Sequence, residues 1–262
     1  MREPSRIDGA PRKGNLRNRH DRLSGRGIRP REHGVKDLAS EYNPLAEKDY
    51  RPVPGWTLVL FLATFLLFLA VLAVLYHFGV QLLAGQAVLT VLAAFYALGL
   101  CAVLIAMAPL GQAALPALGI RPAGWRPVVF GVIGTIVLSV AVSQLGIEPK
   151  AMKEAVDIAR EPGALMRSLL ILAVLAPVVE ELVFRGLLYG WIAGRWGTVP
   201  AWLVSSVAFA LAHYEPAHIL LVLPLGLLFG YLRRRTDSLL PSLAAHIFNN
   251  GFAVLAAAFL GS

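Results

Sequence analysis

Charged residues are scarce in this chain of 262 residues, in which Asp, Glu, Lys and Arg together make up only 15%. A soluble domain carries about 25% charged residues, whereas 57% of this chain is hydrophobic. Several apolar runs are longer than the roughly 18 residues that indicate a membrane-spanning helix. The composition therefore excludes an ordinary soluble domain and predicts a multi-pass integral membrane protein embedded in the lipid bilayer.

Cysteine is almost absent as well. Cys101 is the single cysteine and lies within an apolar run, so an intramolecular disulfide is excluded. The first 50 residues contain no apolar run of the kind that a cleavable signal peptide needs. We therefore expect the first apolar segment to act as a signal anchor.

The net charge of +8 raises the question of a nucleic-acid partner, but the distribution of charge argues against one. Residues 1–50 carry 12 Lys or Arg and 8 Asp or Glu, and we interpret them as a basic, disordered cytoplasmic tail. Residues 51–262 would form the membrane domain, in which most basic residues lie between apolar runs. In such loops they orient helices and contact anionic lipid headgroups. No nucleic-acid partner is expected.

The apolar runs predict an all-α bundle of seven membrane-spanning helices. The basic residues beside these runs place the N-terminus in the cytoplasm and the C-terminus outside. The polar stretch 147–163 predicts a short amphipathic helix on the membrane surface. The predicted spans are 56–78, 87–107, 128–145, 168–193, 200–213, 219–232 and 239–260.

Three charged residues interrupt the fourth apolar run. They are the adjacent Glu180 and Glu181 and, one helical turn later, Arg185. Each charge at mid-membrane costs about 2.5–3.5 kcal/mol on insertion scales, which the rest of the helix offsets only in part. Ionisable residues inside a membrane are therefore functional-site candidates, with a structural ion-pair network as the alternative.

Three spans carry pairs of residues that are spaced four apart, so that both members share one helix face. Polar side chains avoid lipid, and we expect these faces to point into the bundle. Together they predict a polar cavity between spans four, five and seven. The pairs are Glu181 with Arg185, Phe209 with His213, and His246 with Asn250.

Such a cavity has the groups that peptide-bond hydrolysis requires. The reaction needs a base that deprotonates water, donors for the oxyanion and an acid for the leaving amine. A glutamate in a dry pocket becomes a stronger base, and a neighbouring arginine keeps a second glutamate charged. The pattern is therefore typical of a hydrolytic site without a serine or cysteine nucleophile.

The three motifs Glu180-Glu181-x-x-x-Arg185, Phe209-x-x-x-His213 and His246-x-x-x-Asn250 resemble, in the same order, those of the CPBP family of intramembrane proteases. This family includes the type II CAAX prenyl endopeptidases and the bacterial Abi proteins. The similarity covers about residues 120–258. The resemblance implies an intramembrane endopeptidase that acts on membrane-anchored peptides or proteins, with prenylated CAAX-type substrates as one class.

The resemblance also implies a role for each catalytic residue. Glu180 would activate the attacking water with the help of His213, while His246 and Asn250 would stabilise the oxyanion. Asn249, beside Asn250, is a competing candidate for the amide.

The remaining motif residues would support the site. Glu181 would be held by Arg185, and Phe209 would pack under the motif histidine. We expect no cofactor and no metal, because the zinc-protease helix motif HExxH is missing. If the enzyme depended on zinc, the ligands would be Glu180, His213 and His246. The sequence predicts no particular oligomeric state.

Two other functional classes use similar side chains. A non-catalytic immunity or scaffold protein would use the cavity for binding, and a proton-coupled transporter would use Glu and His as a relay. Transporters of this kind are built from two related halves, and the sequence contains no internal repeat. A binder would tolerate Glu180→Gln, whereas a protease would not.

Overall fold

The computed structural model describes residues 52–77, 88–161 and 163–259. The predicted cytoplasmic tail, residues 1–50, lies outside the described residues. All regular elements in the described part of the chain are helices, which confirms the all-α prediction.

We number the helices of the described residues in chain order. A 3₁₀ segment, Ala108–Ala113, connects the second helix to the third. The helices are α1 (Gly55–His77), α2 (Val88–Met107), α3 (Ala114–Leu118), α4 (Trp125–Ser143), α5 (Lys150–Arg160), α6 (165–196), α7 (Thr198–Leu211), α8 (Pro216–Thr236) and α9 (Leu240–Phe259).

Five helical stretches in the described residues are long and apolar enough, by length and composition, to cross a membrane. The two further predicted spans correspond to α6, which carries the charged residues, and to α7. Helix α7 has 14 residues, fewer than the roughly 20 that an upright span needs. The count of seven spans therefore stays a prediction. The five stretches are Gly55–Leu75, Val88–Leu118, Trp125–Ser143, Pro216–Thr236 and Leu240–Phe259.

Helix α6 is continuous but mixed in geometry, because three α-helical segments alternate with two π-helical ones. In a π-helix the hydrogen bonds join residues five apart, and such segments are frequent at functional sites. They also release some carbonyl groups from the regular helical pattern. The segments are Leu165–Ser168 (α), Leu169–Leu175 (π), Ala176–Glu181 (α), Leu182–Leu188 (π) and Tyr189–Trp196 (α).

Glycines allow α7 and α8 to approach closely. A Cβ atom on Gly230 would lie 2.6 Å from the hydroxyl of Ser206 and 2.7 Å from the ring of Trp202, and one on Gly226 would lie 3.0 Å from the ring of Phe209. Any side chain at Gly230 would therefore push the two helices apart. This close packing brings the Phe209 face of α7 against α8.

The amphipathic helix predicted in 147–163 is present as α5. The backbone N–H of Lys150 donates to Glu215 Oε1 at 2.8 Å, and Arg160 Nε donates to the carbonyl of Ala257 at 3.1 Å. Its two ends are therefore tied to the start of α8 and to the end of α9. Its position on a membrane surface stays a prediction.

Candidate active site

Glu181 and Arg185 form a buried ion pair on one face of α6. Arg185 Nη1 lies 3.1 Å from Glu181 Oε1, and both side chains are fully buried. Arg185 Nη2 donates to the carbonyl of Gly226 at 3.0 Å, and the guanidinium lies 4.2 Å from the ring centre of Phe209. The pair thus links α6 to α7 and α8, because an arginine donates in several directions at once.

His246 lies between the two glutamates. Its Nδ1 is 3.2 Å from Glu181 Oε1, and its Nε2 is 3.6 Å from Glu180 Oε2. The ring stacks on Phe229 at 4.8 Å and meets the edge of Phe209 at 5.6 Å. These contacts fix the orientation of the imidazole, which joins the motif on α9 to the one on α6.

The two glutamates differ in their access to solvent. The side chain of Glu180 is 17% exposed, whereas that of Glu181 is completely buried. Glu180 Oε1 accepts a hydrogen bond from the hydroxyl of Tyr96 at 2.8 Å. Tyr96 lies on α2, and none of the sequence motifs includes it. Of the two carboxylates, only Glu180 is open to a small molecule such as water.

His213 lies just after the end of α7, with its Nδ1 3.0 Å from the carbonyl of Phe209. Its ring contacts the rings of Phe209 at 5.1 Å and His218 at 4.6 Å. The structure therefore brings His213 against Phe209, which also contacts His246. The imidazole that lies against Glu180 is that of His246, so direct assistance of Glu180 by His213 stays a prediction.

Asn250 fastens α9 to the first π-helical segment of α6. Its Nδ2 donates to the carbonyl of Leu172 at 3.0 Å. This carbonyl is available because the N–H of Ala176 bonds to Ile171 instead, and because Pro177, five residues after Leu172, has no N–H. The oxyanion role of Asn250 stays a prediction.

Asn249, the competing amide, contacts a different helix. Its Oδ1 accepts a hydrogen bond from the Ser139 hydroxyl at 3.0 Å, and its Nδ2 donates to Asn250 Oδ1 at 3.3 Å. Asn249 thus joins α9 to α4 and is linked to Asn250 by a hydrogen bond.

A second buried arginine supports the site from α8. Arg233 is fully buried, and its Nε donates to the carbonyl of Arg185 at 3.1 Å. Its Nη1 donates to Asp237 Oδ1 at 2.8 Å, and Arg121 donates to the other oxygen of Asp237 at 2.6 Å. In the sequence Arg233 looks like one of three arginines that mark the end of a span. Asp237, four residues after Arg233, is the one feature of the sequence that indicates a structural ion pair at this position.

The three ligands of the alternative zinc site have different contacts in this structure, and metal dependence stays a prediction. Glu180 and His246 are adjacent, but His213 contacts Phe209 and His218. Within the described residues, no group of three or more His, Cys, Asp or Glu side chains is placed to hold a metal ion.

Comparison with known proteins shows a similarity over the part of the chain that carries the motifs. Residues 162–252 match the family model described as type II CAAX prenyl endopeptidase Rce1-like, and all three motifs lie in this range. A segment of 87 residues is 30% identical to the Bacillus subtilis (strain 168) protein named "Putative membrane peptidase YdiL". Both findings agree with the resemblance to the CPBP family that the three motifs carry. The predicted resemblance is thereby confirmed.

The similarity covers only part of each protein. The aligned segment is 33% of this chain and 36% of the Bacillus subtilis protein, so the chain matches about a third of that relative's length. No solved structure matches the chain. The long apolar helices of the described residues, together with this similarity, indicate an integral membrane protein.

Proposed function

We propose that this protein is an intramembrane endopeptidase that hydrolyses peptide bonds of membrane-associated substrates with an activated water molecule. The observation that carries the proposal is the cluster of Glu180, His246 and Glu181, with His246 in contact with both carboxylates. Three charged side chains, counting Arg185, are gathered inside an apolar helical bundle at high cost in free energy. The family match agrees with this function.

In this proposal Glu180 is the base, because it is the partly exposed carboxylate. It takes a proton from water, whose oxygen bonds to the carbonyl carbon while the carbonyl oxygen becomes negative. His246 and Asn250 stabilise this oxyanion, and His213 assists. The C–N bond then breaks as Glu180 returns the proton to the leaving nitrogen. His246 also contacts Glu180 directly, and through this contact it would orient the base.

Glu181 has a supporting role in the proposed mechanism. It is fully buried between Arg185 and His246, so water cannot reach it. Its negative charge instead holds Arg185 and orients His246, much as a carboxylate orients the histidine of other hydrolytic sites. Phe209 packs against Arg185 and both histidines.

The proposed substrates are peptides or proteins anchored in the bilayer. The description of the matching family names CAAX prenyl endopeptidases, and prenylated CAAX-type peptides are therefore the first class to test. The mechanism above needs no metal, and zinc dependence is the alternative that the experiment must distinguish.

The test is cleavage of membrane-anchored fluorogenic peptides by the purified chain in detergent, with and without a chelator. We expect cleavage that the chelator leaves unchanged and that Glu180→Gln lowers about 100- to 10,000-fold, the usual contribution of a general base. Loss of cleavage with chelator and recovery with zinc would replace the metal-free mechanism. Wild-type cleavage by Glu180→Gln would reject Glu180 as the base, whereas no cleavage by wild type together with full function of Glu180→Gln in cells would favour a non-catalytic binding protein.

A further inference from the structure

We propose that Tyr96 is a positioning residue of this site, whose hydroxyl holds one oxygen of Glu180 so that the other faces His246. The inference rests on the proposed function, and it adds a residue from a helix that carries none of the motifs. Tyr96 lies outside the segment 162–252 that matches the family model.

The two oxygens of Glu180 have different partners. Oε1 accepts the hydrogen bond from Tyr96 at 2.8 Å, while Oε2 lies 3.6 Å from His246 Nε2. An O–H group that donates to a carboxylate makes one of the stronger hydrogen bonds in proteins. With Oε1 held, rotation of the carboxylate is restricted, and Oε2 stays beside the imidazole.

A close approach of α2 to α6 brings the tyrosine to this position. Gly99 is buried against Val179, and a Cβ at Gly99 would lie 3.1 Å from Val179 Cγ1. Tyr96 lies three residues before Gly99, on the same face of α2, and Glu180 directly follows Val179. The glycine contact therefore sets the distance between the hydroxyl and the carboxylate.

The ring of Tyr96 has a packing role that can be separated from its hydroxyl. It meets the ring of Phe95 edge-on at 5.5 Å. Substitution with phenylalanine keeps this contact and removes only the donor. Tyr231→Phe is the matched control, because the Tyr231 ring contacts Phe130 and Trp202 rather than a glutamate.

The test measures kcat and KM separately for wild type, Tyr96→Phe and Tyr231→Phe, using the full chain in detergent and a membrane-anchored fluorogenic peptide. We expect Tyr96→Phe to lower kcat about 10- to 100-fold, the usual effect of losing a hydrogen bond to a charged group. KM and the unfolding temperature should stay unchanged, since the hydroxyl contacts the base and not the substrate. Tyr231→Phe should change none of the three.

Other outcomes would overturn the inference. A rise in KM alone would show that Tyr96 contacts the substrate. A fall in kcat together with a lower unfolding temperature would show that its role is structural. An unchanged kcat in Tyr96→Phe, beside an inactive Glu180→Gln, would reject the positioning role and leave the proposed function standing.

A second readout does not depend on activity. The infrared difference between wild type and Glu180→Gln isolates the carboxylate band of Glu180. We expect Tyr96→Phe to shift this band and Tyr231→Phe to leave it in place. A band that does not shift would reject the hydrogen bond itself. A shifted band beside full cleavage by Glu180→Gln would instead reject Glu180 as the base and, with it, the catalytic relevance of Tyr96.

Discussion

At the scale of single residues, two neighbouring glutamates have different environments. Glu181 is fully buried and paired with Arg185, while Glu180 is partly exposed and bonded to Tyr96. Adjacent positions on a helix point about 100° apart, so they contact different neighbours. This difference, which the sequence alone does not reveal, supports a structural role for one carboxylate and a catalytic role for the other.

The Glu181–Arg185 pair gives a prediction at this scale. Replacing Arg185 by Leu leaves a buried carboxylate without its cation, and we expect it to lower the free energy of unfolding by about 3–5 kcal/mol. The double variant Glu181→Leu with Arg185→Leu should recover much of this loss, because neither member of the pair is left buried without its partner. Thermal unfolding in detergent measures both, with the exposed Arg167→Leu as control. Equal stability of all variants would show that the pair contributes nothing to the fold.

At the scale of helices, α6 departs from regular geometry where its partners need free carbonyl groups. The carbonyl of Leu172 accepts from Asn250, and that of Arg185 accepts from Arg233. The N–H of Tyr189, which a regular α-helix would direct to Arg185, bonds to Gly186 and Phe184 instead. The two π-helical segments thus create the acceptors by which α8 and α9 are attached.

Pro177 is expected to couple energetically to Asn250. Pro177→Ala restores an N–H that competes with the Asn250 amide for the carbonyl of Leu172. We therefore expect each of Pro177→Ala and Asn250→Ala to lower kcat, and their effects to be non-additive by about 0.5–3 kcal/mol. A double-mutant cycle on kcat measures the coupling, and strictly additive effects would contradict the link.

The sequence predicted those parts of the site that depend on helical spacing. The three motifs follow the i, i+4 rule on α6, α7 and α9, and the structure brings Glu181, Arg185, Phe209 and His246 into contact. Tyr96 could not be predicted, because it lies 84 residues from Glu180 and a tyrosine in an apolar helix has no distinctive pattern. The contact depends on the packing of α2 on α6, which no local spacing encodes.

Which histidine lies beside Glu180 could not be predicted either. Helical spacing assigns a residue to a face but does not fix how far two helices are shifted along each other. The spacing predicts both His213 and His246 on interior faces, but His213 lies beyond the end of α7 and tertiary packing places His246 against Glu180. The π-helical segments were also missed, since they depend on partners from distant helices as much as on local residues such as Pro177.

At the scale of the whole molecule, the described residues form a helical membrane protein whose candidate site is assembled from helices far apart in sequence. Helix α2 contributes Tyr96, α6 the glutamates, α7 Phe209, and α9 His246 and Asn250. The five long apolar helices of the described residues fit a multi-pass arrangement. The predicted orientation, with the N-terminus in the cytoplasm, determines from which side a substrate reaches the site.

Orientation is tested by labelling single cysteines. With the N-terminus inside, the predicted spans place Arg126, before span three, in the cytoplasm and Glu154, between spans three and four, outside. In a Cys101→Ser background, Arg126→Cys and Glu154→Cys therefore place one exposed thiol on each side. In sealed right-side-out vesicles, a membrane-impermeant thiol reagent should label Glu154→Cys at once and Arg126→Cys only after permeabilisation. The reverse pattern would show that the positive-inside rule fails for this chain.

The most direct test of the account compares Glu180→Gln with Glu154→Gln, a variant of an exposed glutamate on α5. Cleavage of a membrane-anchored peptide and the unfolding temperature are measured on the same preparations. We predict that Glu180→Gln keeps the wild-type unfolding temperature and loses cleavage, while Glu154→Gln keeps both. Wild-type cleavage by Glu180→Gln would contradict the central claim that this carboxylate activates the attacking water.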